Sequence, residues 1–205
     1  MPFISIVTIV LILILFILLL YIHSIKSNLR RNARDREVIQ DDVNSVGVYS
    51  MFIDINNDDY EAFFNRGKAK LRLKDYQGAI TDFTTVLKLV PRDAEAYFFR
   101  GQAKKIMGDY KGAEADYSKV IEINPKYSTI YFNRGVAKDL LKDHQGAIED
   151  YDKVIELNPN DAAAFFNRGY SKILIEKRKN GCADLARAIQ LGHPEAYEAM
   201  KHFCR

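Results

Sequence analysis

Four glycines, Gly67, Gly101, Gly135 and Gly169, recur at a constant step of 34. The same step links Pro91, Pro125 and Pro159, and it links Ala79, Ala113 and Ala147. Two aromatic series keep it as well: Phe63, Tyr97, Tyr131 and Phe165, then Phe83, Tyr117 and Tyr151. Self-similarity at such a period restricts the chain to an array of stacked units. The copies run 60–93, 94–127, 128–161 and 162–195.

Each copy reads as two helices. In the second, Tyr97, Gly101 and Lys104 fall at i, i+4 and i+7, and Ala113, Tyr117 and Val120 repeat that spacing after a turn at Gly108-Asp109. Asn124-Pro125 then stops the second helix, because proline disfavours helix in its predecessor and cannot continue one. Gly101 and Ala113 let the helices approach, and Tyr97 and Tyr117 fill the space around them. A single hairpin cannot bury its apolar face, so neighbours must stack.

These residues resemble the tetratricopeptide repeat: aromatic, small residue and aromatic, Ala and aromatic, then Pro, all within one period. The resemblance covers 60–195 and implies an all-α, right-handed superhelical solenoid of helix–turn–helix units. The pentatricopeptide type, which reads RNA, has a longer period, and the strict steps of 34 argue against it. The resemblance further implies that first helices line a concave groove. Its floor would be Phe64, Phe98, Phe132 and Phe166, beside Asn65, Asn133 and Asn167, with Phe99 breaking the amide series. Lys68, Gln102, Val136 and Tyr170 follow one turn on. Exposed aromatics beside amides suit a protein partner's peptide or helix. The alternative is that these rings pack between neighbouring hairpins. The family's chaperone-binding variants hold a terminal carboxylate with Lys and Asn at such places; this chain has mostly other residues there, so that specificity does not carry over.

The departures from the pattern are themselves periodic. Arg66, Arg100, Arg134 and Arg168 precede the glycines, and Lys70, Lys104, Lys138 and Lys172 follow them. Asp82, Asp116, Asp150 and Asp184 stand one residue before the second-helix aromatic position. Arg with Asp suggests ion pairs within or between hairpins, since guanidinium binds carboxylate through two bonds. The rival is a basic ladder that reads an acidic ligand.

The array frays at both ends. In the fourth copy Gly181 replaces Ala, Leu185 replaces the aromatic, and His193 stands at the proline place. Residues 196–205 read as a capping helix. Ahead of the first copy, Tyr49 and Phe52 lie one repeat step before Phe83 and Val86, so 26–59 combines a basic segment with a degenerate half-repeat, joined by a linker over 41–47. Cys182 and Cys204 fit no metal or redox spacing. Two buried thiols are the plainer reading, a disulfide the other.

Residues 3–22 carry no charge, enough to span a bilayer as a helix, so 1–25 reads as an uncleaved transmembrane anchor with the lipid bilayer as a partner. Lys26, Arg30, Arg31, Arg34 and Arg36 follow it, which argues for a cytoplasmic repeat domain on a single-pass protein. No phosphate loop, HExxH, GxSxG or histidine cluster appears, and His144 sits where Tyr76 and Tyr110 do, as a packing residue. The chain therefore reads as no enzyme, with no metal, cofactor or small-molecule substrate. A net charge of only +3 disfavours nucleic acid. A scaffold or adaptor for a protein partner leads; a structural or assembly subunit of a membrane complex follows, then RNA binding.

Overall fold

Capping carboxylates place most of the helix starts. The computed structural model describes residues 38–204, so the apolar span and its basic flank lie outside the described residues. Among the described residues there are ten helices and no strand, and none of these helices is long and apolar enough to cross a membrane. They are α1 (38–55), α2 (Tyr60–Arg72), α3 (Tyr76–Leu89), α4 (Ala94–Ile106), α5 (Tyr110–Ile123), α6 (Ser128–Leu140), α7 (His144–Leu157), α8 (Ala162–Leu174), α9 (Arg178–Gln190) and α10 (Ala196–Phe203).

Asp59, Asp93 and Asp161 each accept from a backbone N–H at the start of a first helix, and Asp75, Asp109 and Asp143 do so for second helices. The second-helix caps need glycine: a Cβ on Gly78 would lie 2.1 Å from the capping Asp75 carboxylate. The fourth copy lost this device, with Lys177 at the cap making no side-chain bond. Between the helices of each hairpin one residue adopts positive φ: Lys74, Gly108, Lys142 and Glu176.

Within a hairpin the glycine sits on the second-helix ring. A Cβ at Gly67 would meet Phe83 at 3.0 Å, and one at Gly135 would meet Tyr151 at 2.8 Å. Ala79, Ala113 and Ala147 are fully buried beside them. In the fourth hairpin no ring intervenes. A Cβ on Gly181 would come within 2.6 Å of the Gly169 carbonyl oxygen, so α8 and α9 touch backbone to backbone. Pro91, Pro125 and Pro159 follow the second helices, in the turns to the next hairpin.

The stretch read as a linker, 41–47, is instead helical, part of α1. Its Asp42 is buried and paired with Arg72, which a free linker would not provide. α1 takes the place of a second helix, with Ser50 in the register of Thr84 and Ser118. Among the described residues no first helix covers it. Val48 and Phe52 are 46% and 47% exposed, where their counterparts Asp82 and Val86 are 1% and 0%.

At the other end the thiol reading is overturned. Cys182 and Cys204 form a disulfide, because α10 folds back on α9 and brings their Cα atoms to 5.8 Å. Phe203 packs edge-on against Tyr170 at 5.5 Å, and His193 stacks on Phe166 at 4.2 Å. Cys182→Ser, or reduction, is expected to destabilise this end by about 3 kcal/mol, the loop-closure value for a bridge of this span. Melting the chain with and without reductant checks it; an unchanged midpoint would show that α10 holds without the bridge.

Candidate functional site

Each arginine before a glycine joins three helices. Arg66 donates to Asp82 through Nε at 2.9 Å and Nη2 at 2.7 Å, and Lys70 adds a contact of 2.8 Å to the same carboxylate. Arg100 with Lys104 holds Asp116, Arg134 with Lys138 holds Asp150, and Arg168 with Lys172 holds Asp184. The remaining nitrogen, Nη1, reaches back to the preceding second helix: to Ser50, Thr84, Ser118 and Asp152 in turn. The arginine planes lie over Phe63, Tyr97, Tyr131 and Phe165. The hydrogen bond to Asp82 raises the Arg66 pKa above its ordinary value. Each of these cations is thus paired with a carboxylate of its own hairpin.

The groove phenylalanines are half-buried rather than a bare floor. Phe64 meets Phe83 and Phe99, Phe98 meets Tyr117, and Phe132 meets Tyr151, each edge-on or tilted. The physical reason is register: the ring sits above the second-helix aromatic of its own hairpin. Phe166, whose hairpin has Leu185 there, stacks on His193. Lys68 lies over both Phe64 and Phe99. Asn133 accepts from Lys105, and its own amide donates to the Thr129 carbonyl. Asn65 and Asn167 lie half-buried on α2 and α8.

Three clefts open among these residues. One of about 360 Å³ is lined by Lys68, Leu71, Arg72, Tyr76, Phe99, Gln102 and Ile106. A second, also about 360 Å³, has Glu95, Phe98, Val120, Tyr127 and Thr129 in its wall. The third, about 170 Å³, repeats the second one step of 34 later, with Phe132, Val154, Asp161 and Ala163.

The tetratricopeptide family models match 60–93, 94–127 and 128–161. Residues 60–161 are tetratricopeptide repeats. The fold agrees with solved tetratricopeptide structures. YrrB, described as having an unusual peptide-binding site, superposes with a TM-score of 0.75 at 19% identity, over 80% of this chain and 85% of its own. MamA from Desulfovibrio magneticus RS-1 gives 0.70 at 23%, over 77% and 92%. The first such domain of Spaghetti (RPAP3), bound to an HSP90 peptide, gives 0.54 at 23%, over 57% and 93%. No curated protein matches the chain by sequence.

The tetratricopeptide array departs from its own symmetry at one junction. Asp139 accepts from Ser171 Oγ at 2.8 Å, Tyr151 Oη at 2.9 Å and lies 2.9 Å from His144 Nδ1. His144 is thus a polar partner of Asp139, not a packing residue alone. Position 139 is Leu71 and Lys105 in earlier copies, and position 171 is Ala69, Ala103 and Ala137. Burial, then the Asp139 charge, pushes the Tyr151 hydroxyl pKa upward. Its counterpart Tyr117 is as deeply buried, yet among the described residues its hydroxyl has no partner. Tyr151→Phe should therefore cost about 1–3 kcal/mol, whereas Tyr117→Phe should be neutral or stabilising. Paired urea titrations compare them; equal losses would deny the difference between the junctions.

Proposed function

We propose that the chain is a membrane-anchored, non-enzymatic scaffold whose first helices hold a peptide or helix of a partner protein. The observation that carries this reading is the cleft of about 360 Å³ between α2 and α4, where Lys68 and Gln102 stand beside Leu71, Phe99 and the exposed Ile106. An open apolar wall with a few polar groups suits one side chain of a bound segment. The anchor is the uncharged run 3–22, and it brings the bilayer as second partner. The flanking arginines argue for repeats on the cytoplasmic side, where Cys182 and Cys204 would stay reduced; the bridge argues for an oxidising compartment. Thiol alkylation in intact cells separates the two: labelled cysteines support the cytoplasmic side, protected ones the other.

The test of the scaffold uses full chain in lipid nanodiscs on an arrayed peptide library. Retained peptides should be lost with Phe98→Ala plus Phe132→Ala while the helical signal stays. Equal retention by both proteins would remove the groove. The ring packing of Phe64, Phe98 and Phe132 on the second helices favours the rival reading, an assembly subunit whose repeats only brace, and that outcome would support it.

A further inference from the structure

The hairpin tips line one edge of the array. The Arg72 guanidinium at the first tip holds Asp42 near the start of α1. Arg72 and Tyr76 share a cleft with Ile106 of the second tip, and Lys177 Nζ at the fourth lies 3.3 Å from Gln145 Oε1 at the third. The described chain therefore begins, at residue 38, on this edge. Upstream lie the basic residues Lys26, Arg30, Arg31, Arg34 and Arg36, and before them the uncharged run 3–22.

Two kinds of side chain are exposed along the tips. Met107, Leu140, Leu141 and Leu174 are apolar, and Val38 and Ile39 continue them at the start of α1. Lys74, Lys111, Lys142, Lys177 and Lys179 are basic, and among the described residues no salt bridge holds any of them. Lys74 and Lys142 also hold positive φ, a conformation that Gly108 meets at the second tip with no side chain to strain. A charged side chain kept on such a backbone points to a use for the charge. Against these cations stand Asp41 and Glu176. The opposite edge, where second helices end and first helices begin, has the reverse balance. Asp54, Asp58, Glu61, Glu95, Glu122 and Glu156 are exposed there, against Lys88, Arg92 and Lys126. Capping aspartates serve helix starts on both edges, so they do not set the difference.

We propose that the tip edge lies on the bilayer, its lysines among anionic lipid headgroups and its leucines and Met107 at the acyl boundary. The proposal rests on the anchored reading above and adds which edge of the array meets the lipid. Residues 23–37 would span at most about 50 Å fully extended, so the tether alone leaves every face of the array within reach of the surface. The chemistry of the two edges decides. Lysines within a Debye length of an anionic surface are attracted, and carboxylates are repelled. Apolar side chains beside the lysines suit a lipid surface rather than a soluble polyanion. Tethering raises the local concentration of lipid, so a weak contact suffices.

The chain has no tryptophan, so one introduced indole is the sole probe. Leu141→Trp places it at a tip, and Lys126→Trp places it on the opposite edge. Each full chain goes into nanodiscs of phosphatidylcholine, with or without phosphatidylserine, whose brominated acyl chains are the quencher. In the anionic discs the Leu141→Trp indole should be quenched about threefold more than the Lys126→Trp indole, with its emission shifted to the blue. Omitting phosphatidylserine, raising the salt, or combining Lys74→Gln, Lys111→Gln and Lys142→Gln should each remove most of that excess while the helical signal stays. Equal quenching at both edges overturns the orientation. An excess that survives the triple substitution and high salt overturns the role of the lysines. Quenching at neither edge, in chain that co-elutes with the discs, overturns the lipid contact, as an edge reserved for a protein would, and leaves the anchor standing. If the chain does not stay with the discs, the anchored reading itself fails and the edge contact with it.

Discussion

Asp116→Asn should lower the stability of the array by about 3–5 kcal/mol, because it leaves buried cations without their anion. Asp116 is 4% exposed in its side chain, and it serves Arg100 at 2.6 Å and Lys104 at 2.8 Å. Asparagine keeps the shape but cannot accept at both oxygens, and its amide would point a donor at a donor. The two cations come from α4 and the carboxylate from α5, so the loss falls on the seam that closes the hairpin. Guanidinium titration of full chain in detergent measures it. If the pairs instead belonged to a ligand-reading ladder, stability would hold and the salt dependence of partner binding would change. A loss under about 1 kcal/mol would mean that the pairs behave like exposed ones.

Phe83→Ala is expected to cost a similar amount, about 3–5 kcal/mol, by opening a cavity that its neighbours cannot refill. The Phe83 side chain is fully buried under Gly67. Its ring stacks on Phe99 at 5.7 Å and meets Phe64 at 5.8 Å, so it joins the first hairpin to the second. Gly67 is why the cavity should persist: with no side chain there, α2 has nothing to lean into the space. Thermal melts should fall by on the order of 10 °C. Phe83→Leu should recover most of the loss. If it did not, ring stacking rather than volume would be the larger part.

The fold was legible because its determinants are periodic. Gly67, Arg66 and Asp82 recur at every step of the repeat, and the Phe83 aromatic recurs in the first three copies, so pairing them needed only counting. The third contact of each arginine was not legible. It falls on Ser50, Thr84, Ser118 and Asp152, residues of mixed type that share a register only once α1 is seen to be a second helix. The Asp139 cluster was hidden for the opposite reason. It breaks the repeat, and its members at 139, 144, 151 and 171 meet only in space. The bridge between Cys182 and Cys204 has no spacing rule to announce it. The phenylalanines misled in one respect: a run of exposed-looking rings cannot show that Phe64, Phe98 and Phe132 each lie on an aromatic of the following helix.

The arginines' backward reach also bears on how the array comes apart. Because Nη1 of each ties its own hairpin to the one before, no hairpin can melt without breaking a bond held by a neighbour. Such a chain behaves as a line of coupled units, its cooperativity governed by the joints. The joints are unequal. Arg168 finds a carboxylate, Asp152, where the earlier arginines find hydroxyls, and Ser171 adds a second bond to Asp139 across the same boundary. Fraying should therefore begin near residue 38 and travel toward the bridge, so that amide exchange slows along the polypeptide as a gradient rather than a step.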